Sequence, residues 1–68
     1  MNDEVFNLEV RKFLKHFGVT AQRELERAVR DGIESGTLEG NETLLVSARL
    51  TIEGLPADHV VEGRIALE

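Results

Sequence analysis

The chain has no cysteine, tryptophan or tyrosine, one proline, and only three aromatic residues, all phenylalanine. Without cysteine there is no disulfide and no thiolate metal site, which removes two common staples of small domains. A chain this short buries only about 60% of the surface that its unfolded form exposes, so its own core is thin. Oligomerisation is the remaining common remedy. The lack of cysteine also suits a reducing compartment. No apolar run approaches the roughly 20 residues that span a bilayer. The N-terminus, Met1-Asn2-Asp3-Glu4, is acidic where a secretory signal is basic. These absences point to a cytoplasmic protein of one domain, residues 1–68, with no membrane segment.

The net charge of −5 hides a polarity along the chain. Residues 1–10 carry −3, residues 11–30 carry +4 and residues 31–68 carry −6. A basic middle and an acidic end can attract each other between copies, although most charge runs are solvated faces.

A helix is expected from about residue 3 to 17. Asn2 or Asp3 can cap it, and acids in its first turn suit the positive end of the helix dipole. Phe6, Val10, Phe13, Leu14 and Phe17 fall on one face, and Gly18 follows where a left-handed cap is wanted. Thr20 is a good N-cap for a second helix to about residue 35. Leu25, Ala28, Val29, Gly32 and Ile33 form its apolar face, with Ala21 at its start. Residues 36–41, with two glycines, form a connecting loop.

The remainder reads as a β-hairpin, with strands at about 43–53 and 59–67. Leu44, Val46, Ala48, Leu50 and Ile52 alternate with Thr43, Leu45, Ser47, Arg49 and Thr51. Val61, Ile65 and Leu67 alternate with Val60, Glu62, Arg64 and Ala66. The turn is placed at Gly54-Leu55-Pro56-Ala57. Pairing Leu50 with Val61 also pairs Ala48 with Gly63, Val46 with Ile65 and Leu44 with Leu67, and sets Arg49 opposite Glu62. A shift that opposes Arg49 to Arg64 is unfavourable. The preferred register opposes Glu53 to Asp58, a strain that a six-residue turn would relieve.

The expected fold class is therefore α+β: two N-terminal helices packed on one face of a C-terminal antiparallel hairpin, in the order ααββ. Its core would join Phe6, Val10, Phe13, Leu14, Phe17, Leu25, Val29 and Ile33 to Val46, Leu50, Val61 and Ile65.

Functional signals are few. Helix–Gly18-Val19-Thr20–helix resembles a DNA-binding helix-turn-helix, with Arg23, Arg27 and Arg30 on the outer face as candidate nucleic-acid contacts. The acidic balance opposes that reading. So do the i, i+4 pairs Glu26–Arg30, Arg27–Asp31 and Arg30–Glu34, which account for the arginines as surface bridges. His16 and His59 lack the spacing of a zinc site. Glu53, Asp58 and Glu62 lie near the hairpin tip, but no nucleophile elbow or phosphate loop accompanies them. No enzyme, cofactor, metal or small-molecule substrate is expected.

The outward residues are more informative. Leu45, Val60 and Ala66 lie on the sheet face turned away from the helices, and Leu45 is placed opposite Ala66. Leu8 lies on the back of the first helix. These four are the candidate interface residues. A two-stranded hairpin is marginal alone and has two open edges. The expected partner is a second copy or another protein, with two hairpins pairing edge to edge into a four-stranded sheet. Nucleic acid, through Arg23, Arg27 and Arg30, is the alternative, and a small acid–base enzyme at the hairpin tip comes third.

Four segments support a resemblance: Arg11-Lys12-Phe13-Leu14-Lys15, Gly18-Val19-Thr20 with Gln22-Arg23-Glu24, Gly40-Asn41-Glu42-Thr43-Leu44, and Asp58-His59-Val60-Val61-Glu62-Gly63. Together they resemble a family of small bacterial proteins of unknown function that consist of about one such unit. The resemblance implies a stand-alone bacterial protein. It carries over no catalytic or binding residues.

Overall fold

The computed structural model describes all residues, 1–68. The element order is one α-helix, α1 (Asp3–Glu34), and two strands, β1 (Thr43–Thr51) and β2 (Asp58–Ala66). The fold class is α+β with one helix, not the two expected. Contacts within the chain group into two compact units, Met1–Thr37 and Leu38–Glu68.

Helix α1 begins as its sequence requires. The Asn2 side-chain oxygen accepts from the backbone N–H groups of Glu4 at 3.0 Å and Val5 at 3.2 Å. Asp3 and Glu4 occupy the first turn, where negative charge meets the positive end of the dipole. The helix ends on Ser35, whose N–H donates to Asp31 O at 2.9 Å. Gly36, at φ +81°, donates to Ile33 O at 3.1 Å. That left-handed glycine is the helix stop.

The expected break at Gly18-Val19-Thr20 does not form. Gly18 keeps a helical backbone, because one glycine costs only about 1 kcal/mol in a helix interior and no proline accompanies it. Thr20 does not cap a new helix. Its hydroxyl donates back to His16 O at 3.0 Å and Phe17 O at 3.2 Å, the in-helix use of a threonine. The phase of the apolar residues also runs unbroken across the junction. Phe6, Val10, Leu14 and Phe17 share a face with Ala21, Leu25, Ala28 and Gly32 at the 3- and 4-residue steps of one continuous helix.

In the second unit, β1 and β2 pair antiparallel. The faces are those expected, but the register is shifted by two residues. Leu44 pairs with Ile65, Val46 with Gly63, Ala48 with Val61, and Leu50 with His59. Arg49 therefore stands opposite Val60 and not Glu62, and Leu45 opposite Arg64 and not Ala66. Thr51 and Asp58 close the ladder, so the connection is the six residues 52–57, which separates Glu53 from Asp58.

The turn itself lies two residues earlier than expected, at Ile52-Glu53-Gly54-Leu55. Leu55 N–H donates to Ile52 O at 3.1 Å, and Gly54 has φ +83° while no non-glycine residue has positive φ. That combination defines a type II turn, which wants glycine at its third position.

No residue of the chain is buried, so the expected core residues are not enclosed. Phe6, Phe13 and Phe17 are 54%, 57% and 46% exposed.

Replacing Gly18 by alanine tests the continuity of α1. A Cβ there meets nothing within 4 Å. Gly18→Ala should stabilise the helix by about 1 kcal/mol, read as higher helicity and a higher melting temperature by circular dichroism. A loss of helicity would mean that Gly18 terminates a helix after all.

Candidate interaction surfaces

The hairpin offers its edges. Leu67 N–H donates to Glu42 O at 2.9 Å, which fixes the alternation of the ladder. Residues 42 and 67 are a hydrogen-bonded pair, so Leu44–Ile65, Val46–Gly63, Ala48–Val61 and Leu50–His59 are as well. The backbone groups of Thr43, Leu45, Ser47, Arg49 and Thr51 then point out of the β1 edge. Those of Asp58, Val60, Glu62, Arg64 and Ala66 point out of the β2 edge. These are the same ten residues whose side chains form one sheet face.

That face holds three of the four expected interface residues. Leu45 is 72% exposed and Val60 50%, and Ala66 pairs with Thr43. The other face carries Leu44, Val46, Leu50, Val61 and Ile65. Leu8, 52% exposed, lies on the back of α1 by its helical phase, apart from the aromatic stripe.

Arg49 holds the turn end of the hairpin. Its Nε donates to Asp58 Oδ1 at 2.8 Å and its Nη2 to Asp58 Oδ2 at 2.7 Å. This two-pronged contact runs diagonally across the strands and is the strong geometry for an arginine–carboxylate pair. The shifted register permits it, and it lowers the Asp58 pKa from its ordinary value. The other end is held by Glu42. Its carboxylate accepts from Glu39 N–H at 2.8 Å and Gly40 N–H at 2.9 Å. Those two backbone bonds depress its pKa.

The three candidate nucleic-acid arginines of α1, Arg23, Arg27 and Arg30, are placed differently from one another. Arg27 bridges Glu24 and reaches Asp31 at 3.4 Å, which strengthens its hold on its proton. Arg30 lies 3.8 Å from Glu26, while the expected Arg30–Glu34 bridge does not form. Arg23 makes no ion pair. Because Gly18-Val19-Thr20 is helical, no turn sets a recognition helix apart, and the helix-turn-helix geometry is absent. Lys12 also bridges within the helix, 3.8 Å from Glu9. These are exposed pairs, which contribute little to stability.

His16 and His59 lie on different units, and no group of three or more histidine or acidic residues is gathered to hold a metal ion. No helix is long and apolar enough to cross a membrane.

Family of unknown function (DUF6494) matches residues 1–68, the full chain. The chain belongs to this family. The DUF6494 match spans both the helical unit and the hairpin unit, in keeping with the resemblance carried by segments from both. No curated protein and no solved structure matches the chain.

Sequence reasoning missed two features here. Asp58 was read as one of several tip acids, because its partner depends on a register set by the turn. Glu42 was not singled out, because a lone loop glutamate carries no local signal of the two N–H groups it accepts from.

The two carboxylates set an acid limit on the hairpin. The Arg49 guanidinium holds the Asp58 carboxyl below its ordinary value, and the N–H groups of Glu39 and Gly40 do the same for Glu42. Their contributions are complete above the ordinary carboxylate range and decline as pH falls through the depressed folded values. Carbon-detected NMR titration should show each of the two carboxyls titrating below the ordinary value for its own residue type. Asp58→Asn should loosen the strand ends while making them less sensitive to acid. Ordinary titration of both groups would overturn these two contacts.

Proposed function

We propose that the protein is a small interaction module that associates with copies of itself through the edge of its hairpin. One observation carries the reading: the chain's only sheet has two strands, both edges are open, and no residue is buried. Two-stranded hairpins are marginal in water, and unpaired edges are templates for another strand.

The β1 edge suits a two-fold pairing better than the β2 edge. An antiparallel pair of β1 strands centred on Ser47 sets Arg49 against Leu45 of the second copy and opposes no like charges. Centring two β2 strands on Glu62 opposes glutamate to glutamate, which is unfavourable. A β1–β1 contact makes a four-stranded antiparallel sheet in the order β2-β1-β1-β2. Leu45, Val60 and Ala66 then lie on one continuous face, and Leu8 adds an apolar residue outside it.

The reading is of a binding protein and not of an enzyme. The acids near the hairpin tip support this, since Asp58 is tied to Arg49 and Glu62 stands opposite Ser47. A reducing, cytoplasmic setting suits a chain without cysteine.

Sedimentation velocity at tens of micromolar, paired with amide hydrogen exchange, tests the reading. It predicts a dimer with slow exchange at Leu45, Ser47 and Arg49, whose N–H groups a lone hairpin leaves open. Ser47→Pro removes one outward donor and no bond within the hairpin, and should abolish that protection. A dimer with fast exchange at these amides, or a monomer, would contradict edge pairing.

A further inference from the structure

The apolar stripe of α1 is graded by size along its length. Its first half presents Phe6, Val10, Phe13, Leu14 and Phe17, and its second half Ala21, Leu25, Ala28 and Gly32. The face is uncovered: Val10 is 37% exposed, Leu14 49% and Leu25 36%, with the phenylalanines near half.

We infer that α1 pairs with α1 of a second copy, antiparallel, with the two-fold axis near residue 19. This deepens the self-association proposed above and rests on it. The grading selects the direction. In the antiparallel pair Phe6 meets Gly32, Val10 meets Ala28, and Phe17 meets Ala21 of the other copy, while Leu14 meets Leu25. Phe6, Val10 and Phe17 are thereby set against small residues and Leu14 against leucine, as close packing requires, while Phe13 lies at the flank of the stripe beside Leu25. A parallel pair would crowd the phenylalanines of both copies at one end. At the other it would oppose alanine and glycine to themselves, leaving voids.

Charge agrees with this direction. Glu9 and Arg27 lie on the same flank of the stripe and come within side-chain reach across the axis. On the other flank Arg11 meets Val29 and Lys15 meets Gln22, with no like charge. The area is also sufficient. Covering the half-exposed phenylalanines and their aliphatic neighbours removes roughly 600–800 Å² per copy, close to the roughly 800 Å² of a standard interface.

The absence of native cysteine makes a distance measurement direct. Glu4 and Gln22 lie 18 residues apart in the sequence, five whole turns, so labels at the two sites share one azimuth. Glu4→Cys and Gln22→Cys, each spin-labelled alone in the full chain, report the distance between copies by pulsed electron resonance. The antiparallel pair sets Glu4 labels about 45 Å apart along the axis and Gln22 labels about 9 Å apart. Equal distances at both sites would mean a parallel pair and overturn the inference. A monomer without intermolecular distances would overturn it too, and one that sediments with anionic-lipid vesicles would assign the stripe to a lipid surface. The two readings fail differently. Protected β1 amides with equal label distances remove the helix pair alone, whereas open amides with the unequal distances remove only the edge pairing.

Discussion

The constraint on which the rest of this structure depends is the unbroken phase of α1. A helix of 32 residues is about 48 Å long, and its apolar residues hold to one side through the Gly18-Val19-Thr20 junction. Had the chain turned there, two shorter helices could have packed on each other and enclosed the phenylalanines. A single helix cannot fold its stripe onto itself. Continuity therefore converts what would have been core into surface. Helices draw most of their stability from such a face being packed, so the face calls for a partner.

The hairpin unit meets the same constraint in another form. Its strands satisfy each other along one side only, and its two ends are fixed by local polar contacts in place of a core. Arg49 holds Asp58 at the turn end, and Glu42 holds the backbone of Glu39 and Gly40 where β1 begins. These contacts set register and loop shape without burying anything. Exposed ion pairs contribute little stability, so their role here is to specify which residues face which side. Both units are thus well defined locally and open to association.

Much of this was legible in the sequence, and the losses have physical causes. The caps at Asn2 and Gly36, the strand positions and the parity of the hairpin faces follow from side-chain oxygens, glycine and a period of two. The helix break was misread because Gly18 and Thr20 each have two uses. Glycine tolerates a helix interior as well as a left-handed cap, and threonine can bond backward into a helix as well as forward from its start. Periodicity held the answer, since the stripe keeps its phase across the junction. The register was misplaced by two because apolar matching alone does not anchor it. The type II turn at Gly54 and the diagonal reach of arginine decide it, at the cost of pairing Leu50 with His59. The edges were legible from the strand count, whereas the size gradient of the stripe emerges only once α1 is one helix.

The central claim is that this chain completes its packing by associating with itself. Its most direct test is the dependence of unfolding on protein concentration. Association stabilises a folded state by mass action, so the thermal midpoint should rise steadily as the protein is taken from about 1 to 100 μM, with the helical and strand signals moving together. A midpoint independent of concentration across that range would contradict the account.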